Sequence, residues 1–199
     1  MNKLETKDVK LSNAAQILIL DQGLGKIITI FLDTFLAAYF YKISQQNILY
    51  LSLYNIIGWF VATVGALFVG DFIKRKNKVN LYRFGMFVKS FYIFLIILLG
   101  EKIIDYVWLI GMMFGLATAT TGFPFNMMES EQISNDERSK YLGYKSVATE
   151  ITGLVVPILL GAYITARSYE IAAVLILAFS MLRLILSFLS KTKMCNQKK

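Results

Sequence analysis

Val69-Gly70-Asp71-Phe72-Ile73-Lys74-Arg75-Lys76-Asn77-Lys78 is the stretch whose reading decides the fold. It packs four cationic side chains and one carboxylate into a short hydrophilic break. Apolar runs of membrane length lie on both sides, at 51–69 and 81–99. Moving several Lys and Arg across a bilayer is unfavourable, so a loop this basic between two spans is retained in the cytoplasm. One loop placed inside assigns every other loop by alternation.

Working outward, the apolar runs are read as six spans, at about 27–41, 49–69, 81–99, 106–127, 147–165 and 171–189. The termini and the loops after the second and fourth spans hold most of the cations, including Lys3, Lys7, Lys10, Arg83, Arg138, Lys140 and Lys145. The remaining three loops hold Lys42, Lys102 and Arg167. That asymmetry puts both termini in the cytoplasm, in agreement with an even number of spans. The expected class is an all-α membrane protein of the plasma membrane, one bundle over 1–199. Residues 13–25, which mix an apolar run with Asp21, Gln22 and two glycines, read as an interfacial lead-in with Ser12 or Asn13 as helix cap. Ile17–Leu20 is too short for the core of a cleaved leader.

Composition supports this class. The chain is 56% hydrophobic with mean hydropathy +0.57 and 17% charged residues, against about a quarter charged in soluble domains. The net charge of +8 sits beside apolar spans, which points to topology and anionic lipid rather than nucleic acid. There is no histidine and a single cysteine, Cys195. An intrachain disulfide and His- or Cys-based metal or catalytic sites are therefore excluded, and no cofactor or metal is expected. With no paired carboxylates deep in the spans, an intramembrane enzyme is not expected either.

The loop after the second span resembles the signature loop of the major facilitator superfamily, roughly G-x-L-A-D-R-x-G-R-K. Asp71, Arg75 and Lys76 match, Gly70 takes the small position, and Leu67, Phe72 and Lys74 depart from it. The fourth-to-fifth loop carries Glu129, Glu131 and Asp136-Glu137-Arg138, similar to the acidic-then-arginine pattern of that family. Gly153, Pro157 and Gly161 echo its antiporter signature in the fifth span. The resemblance implies one N-terminal six-helix half-bundle, built as a three-plus-three inverted repeat, of a bacterial exporter-like transporter. It also implies a cytoplasmic gate in which Arg75 or Lys76 meets Glu129, Glu131 or Glu150, with Asp71 and Arg138 beside them. The basic tail 191–199 reads as the opening of a central loop, so a second six-helix half, or a second copy of the chain, is the expected partner, alongside membrane lipid and a small-molecule substrate.

Asp33 is the sharpest single residue inside a span. A mid-span carboxylate costs about 2.5–3.5 kcal/mol on insertion scales, so it should face protein or water. Thr29, Asp33 and Ala37 fall at i, i+4 and i+8 and share one small, polar face. The functional reading is a protonation or substrate-cation site; the alternative is a carboxylate held by a Lys or Thr within the bundle, with Lys89 as one partner. Arg183 is expected to snorkel to the cytoplasmic surface, and Glu150 to sit at the gate end of its span. In the fourth span, Gly111 and Gly115 permit close helix approach, while Thr118, Thr121 and Asn126 are candidates to line a cavity. Gly58 and Gly65 read as packing glycines, and Trp59, Trp108, Tyr50, Tyr106 and Tyr169 as interfacial belt residues. The functional expectation is a proton-coupled, alternating-access transporter of a small solute; the alternative is a non-transporting membrane module that binds a partner or assists assembly.

Overall fold

The computed structural model describes residues 10–75 and 78–194, with side chains for 10–73 and 78–188. Lys3, Lys7, Lys76, Cys195 and the end of the basic tail lie outside the described residues, as do the side chains of Lys74 and Arg75. The described chain is helical throughout. The first rod joins α1 (Asn13–Ile30), a π-helical turn (Phe31–Phe35) and α2 (Leu36–Ile43). There follow α3 (Ile48–Arg75), α4 (Lys78–Leu99), a 3-10 segment (Gly100–Ile104), α5 (Val107–Gln132), α6 (Asn135–Ala166) and α7 (Tyr169–Met194). Five helices, Asn13–Ile43, Ile48–Ile73, Val107–Gln132, Asn135–Ala166 and Tyr169–Phe188, are long and apolar enough to cross a membrane. α4, the third of the six expected spans, is a 22-residue helix of similar length that carries Lys78, Arg83 and Lys89; it is not one of those five.

The lead-in expected at 13–25 is instead part of the first rod. Ala15, Leu18, Asp21, Gly25 and Ile28 are buried at helical spacing, so one continuous stripe faces the bundle from the first turn onward. Ser12 caps this helix as expected, its Oγ accepting from the Ala15 N–H at 3.2 Å. At the start of α6, Ser134 and Glu137 form a reciprocal capping box. Glu137 does more than cap its own helix. It accepts from the Ser12 N–H at 2.9 Å and from the Ser12 hydroxyl at 3.2 Å. One carboxylate thus ties together the N-termini of α1 and α6, where both helix dipoles favour negative charge.

α3 packs on α5, α4 on α5 and on α7, and the first rod on α6 and α7. Glycines set the closest approach. A Cβ on Gly115 would stand 2.4 Å from the Gly58 carbonyl oxygen, one on Gly111 would stand 3.0 Å from that of Tyr54, and one on Gly85 would stand 2.5 Å from that of Thr120. Gly58 and Gly65 therefore serve packing against α5, and the Gly111–Gly115 pair permits the contact as its spacing indicated. Two apolar cores result. One gathers Phe31, Leu36, Phe40, Tyr92, Ile96 and Ile110; the other gathers Ala15, Leu18, Met86, Phe125, Met128 and Tyr141. Outside them, α3 presents Ile56, Phe60, Leu67 and Phe68, and α6 presents Leu154 and Ile158, all well exposed. Apolar surface of this extent is suited to lipid or to another protein, not to water.

Candidate functional site

A cavity of about 240 Å³ with polar and apolar walls opens between the first rod, α3, α4 and α5. Thr29, Leu32 and Asp33 line it from the first rod, Trp59 from α3, Lys89 and Tyr92 from α4, and Phe114, Ala117, Thr118, Thr121 and Gly122 from α5. Four of the five residues expected at a substrate or coupling site, Thr29, Asp33, Thr118 and Thr121, are brought together here. The fifth, Asn126, is exposed on α5 and does not line the cavity.

Local backbone explains how Asp33 reaches this space. It sits in the π-helical turn, where the Leu36 N–H bonds back to the Phe31 carbonyl, five residues earlier. The extra residue in that turn rotates the helix beyond it, so Thr29 and Asp33 line the cavity while Ala37, expected on the same face, does not. On α5 the hydroxyls of Thr118 and Thr121 donate to the carbonyls of Phe114 and Ala117 at 2.9 Å and 2.7 Å. Both readings of those threonines therefore hold: the hydroxyls satisfy their own backbone, and their side chains border the cavity.

The walls are aromatic as well as polar. Trp59 meets Phe114 edge-on at 5.9 Å between ring centroids. Tyr92 is fully buried and shares a 2.7 Å hydrogen bond with Tyr54 of α3. Trp59, expected as a belt residue, lines the cavity and remains 59% exposed. Tyr169 also departs from the belt reading: it stacks on Tyr39 at 4.0 Å and on Phe31 at 5.1 Å, inside the bundle.

Asp33 and Lys89 face the same space, and no ion pair joins them. The charges that act on Asp33 are Lys89 across the cavity and Lys26 on its own rod. Lys89 in turn feels Arg183, Asp33 and Asp21.

Arg183 overturns the snorkelling expectation. Its guanidinium is buried and grips Asp21 bidentately, Nε to Oδ1 and Nη2 to Oδ2, each at 2.8 Å. Tyr82 closes the triad: its hydroxyl donates to Asp21 Oδ2 and accepts from Arg183 Nη2 at 3.0 Å. The pairing outweighs the surface because α1, α4 and α7 bury all three side chains together, and a charge left unpaired there would be far more costly. Gly25 makes the room, since a Cβ there would stand 2.7 Å from the guanidinium carbon. Asp21 was not legible as a partner: a contact across 162 positions leaves no mark in local spacing.

At the bundle end near the loop after α3, the acidic residues expected in a gate do meet cations. Glu131 pairs with Lys78, and Glu129 accepts from Lys145 Nζ through both oxygens, at 2.7 Å and 2.8 Å. The partner in the basic loop is thus Lys78; Lys76 and the Arg75 side chain lie outside the described residues. Arg138 donates to the Ser130 carbonyl at 3.4 Å, Asp71 is exposed on the last turns of α3, and Glu150 is exposed on α6.

No family model matches the chain, and no solved structure matches it. The chain is similar to the uncharacterized protein YqgE of Bacillus subtilis (strain 168), 25% identical over 191 residues, which cover 94% of this chain and 44% of that relative. The chain therefore spans less than half the length of the curated relative it matches.

Proposed function

We propose that this chain is one six-helix half of a facilitator-type secondary transporter of the plasma membrane, with both termini cytoplasmic, carrying a small solute in exchange or symport with protons. The observation that carries the reading is the cavity itself: a carboxylate, an ammonium, three threonines and three aromatic rings gathered among four helices, three of them long and apolar enough to cross a membrane. Ionisable groups are costly at that depth and mark solute or proton paths.

Three further observations support it. The main helix pairs are unchanged when the first three rods are exchanged for the last three: α3 with α5 becomes α6 with the first rod, α4 with α5 becomes α7 with the first rod, and α4 with α7 maps onto itself. That is the pattern an inverted three-plus-three repeat produces. The relative is more than twice as long as the segment it shares with this chain, enough for a second bundle of equal size. Finally, the gate residues on α5, Glu129 and Glu131, hold cations from different helices, Lys145 of α6 and Lys78 at the start of α4, so separation of these elements breaks or makes ion pairs.

Asp33 is the coupling group in this scheme, loading a proton when the cavity faces one side and releasing it on the other. The test is solute-driven proton flux in inverted membrane vesicles from cells expressing the chain together with the reading frame that adjoins its gene, using a panel of small amphipathic solutes. Asp33→Asn is expected to abolish proton movement while the protein remains in the membrane. Equal proton flux with Asn at position 33 rules out the coupling role. Absence of any solute-driven flux, with or without a second bundle, returns the chain to the non-transporting class of membrane module.

A further inference from the structure

We infer that the cavity recognises a zwitterionic solute with a flat apolar body, the chemistry of an aromatic amino acid, with Asp33 taking its ammonium and Lys89 its carboxylate. This rests on the reading of the cavity as a solute site and names the chemical class of the solute.

Of the charged residues of the bundle, Asp33 and Lys89 line the cavity, one of each sign. The others are held or placed elsewhere. Arg183 and Asp21 grip each other. Arg83 donates to the Ser187 carbonyl at 3.2 Å and 2.9 Å. Glu150 of α6 does not line the cavity, and neither does Lys26, whose Cε lies 3.8 Å from where a Cβ on Gly153 of α6 would stand. The space is therefore neutral as a whole and bipolar within. Among the described residues, neither Asp33 nor Lys89 makes a hydrogen bond or an ion pair.

Two opposite charges that face one cavity without touching leave both open to a solute. Water solvates such charges while the cavity is empty. A solute with a single charge pairs with one of them and strips water from the other, which is unfavourable. A zwitterion replaces that water at both with charge-assisted hydrogen bonds, ammonium to Asp33 and carboxylate to Lys89. The remaining walls agree. Thr118 and Thr121 commit their protons to the carbonyls of Phe114 and Ala117, so their oxygens offer a solute acceptors only, which suits an ammonium. The Phe114 ring lies 5.9 Å from that of Trp59 and 6.4 Å from that of Tyr92, and all three residues line the cavity. Rings so gathered suit a planar apolar body. Proton and solute ammonium occupy Asp33 in turn, as exchange of the two requires.

Equilibrium binding without flux is the test, so failure of transport and failure of recognition are separable. Phenylalanine, hydrocinnamate and phenethylamine are the probes; they share a ring and carry both charges, the carboxylate alone or the ammonium alone. In a Trp108→Phe background, Trp59 fluorescence reports occupancy of the cavity in detergent micelles. The expected result is a saturable change with phenylalanine, at a concentration about tenfold or more below that needed for either singly charged analogue. In Asp33→Asn, hydrocinnamate is expected to bind at least as tightly as phenylalanine; in Lys89→Met, phenethylamine is. The ligand each variant retains shows that its cavity is folded. Asp33→Glu and Lys89→Arg, which keep both charges, are expected to keep the preference for phenylalanine. The wild-type comparison stands whether or not a variant folds. Either analogue binding the wild type as tightly as phenylalanine, no saturable change with phenylalanine, or phenylalanine still preferred in a folded Asp33→Asn or Lys89→Met protein overturns the inference. Solute-driven proton flux without any preference for the zwitterion overturns it too, and leaves the transporter reading standing.

Discussion

Arg183 of α7 grips Asp21 of α1 through two parallel hydrogen bonds of 2.8 Å, and Gly25, one turn further along α1, leaves space for the guanidinium. A buried pair of this geometry is held by mutual need: each partner alone is an uncompensated charge in a low-dielectric bundle. Asp21→Leu or Arg183→Met should each destabilise the folded protein by about 3–5 kcal/mol, and the Asp21→Leu/Arg183→Met double variant by much less. A double-mutant cycle of thermal melts in detergent checks this. Additive losses would show that the pair does not couple the two helices. Gly25→Ala should behave like loss of the pair, because the new Cβ displaces the guanidinium.

The α3–α5 contact makes a second prediction. Gly115→Ala puts a Cβ 2.4 Å from a backbone oxygen that cannot rotate away, so the helices must separate. The expected loss is about 1–3 kcal/mol. Gly143→Ala on α6 meets nothing within 4 Å, and should be neutral or stabilising by about 0.5–1 kcal/mol through helix propensity. Equal melting temperatures for the two variants would contradict the close approach.

Glu137 links two helix starts, and its removal should be felt at both. Glu137→Gln loses acceptor capacity for the Ser12 N–H, the Ser12 hydroxyl and the Ser134 N–H. A loss of about 1–3 kcal/mol is expected, larger for Glu137→Ala. Hydrogen exchange locates the effect: the amides of Ser12 and Ser134 should both exchange faster. A change confined to Ser134 would mean that the contact to α1 is incidental.

Glu129 and Lys145 join α5 to α6 beside the polar loop and are only partly exposed. Charge reversal at one of them, Glu129→Lys or Lys145→Glu, should destabilise this end of the bundle by about 1 kcal/mol, with recovery in the double swap. Cross-linking of cysteines placed at Ser130 and Ser146 reads the separation directly. Single and double variants with the same cross-linking yield would count against the pair.

Much of the fold was legible because it follows from local sums. Runs of apolar residues long enough to cross a bilayer, the Ser12 cap, and the small residues at Gly58, Gly111 and Gly115 are all written within a few turns of sequence. The polar face of Thr29 and Asp33, and the threonines of α5, were readable as cavity residues for the same reason: helical spacing puts them on one face. Their common destination was not readable, and neither was the place of Trp59 beside them. The π-helical turn at Phe31–Phe35, which excludes Ala37, has no signature in composition.

By itself, the sequence determined the helical class, the apolar runs around which the helices form, and the shortage of any His or Cys chemistry, but not where the first rod and α6 begin, each more than ten residues before its apolar run. Only the tertiary structure decided which charges meet. Asp21 with Arg183, Glu131 with Lys78, and Asp33 beside Lys89 without a direct bond all depend on how each helix is rotated about its axis. That rotation is set by the fit of whole helix faces, glycine against carbonyl and ring against ring, and a turn of 100° per residue sends a side chain to a different neighbour.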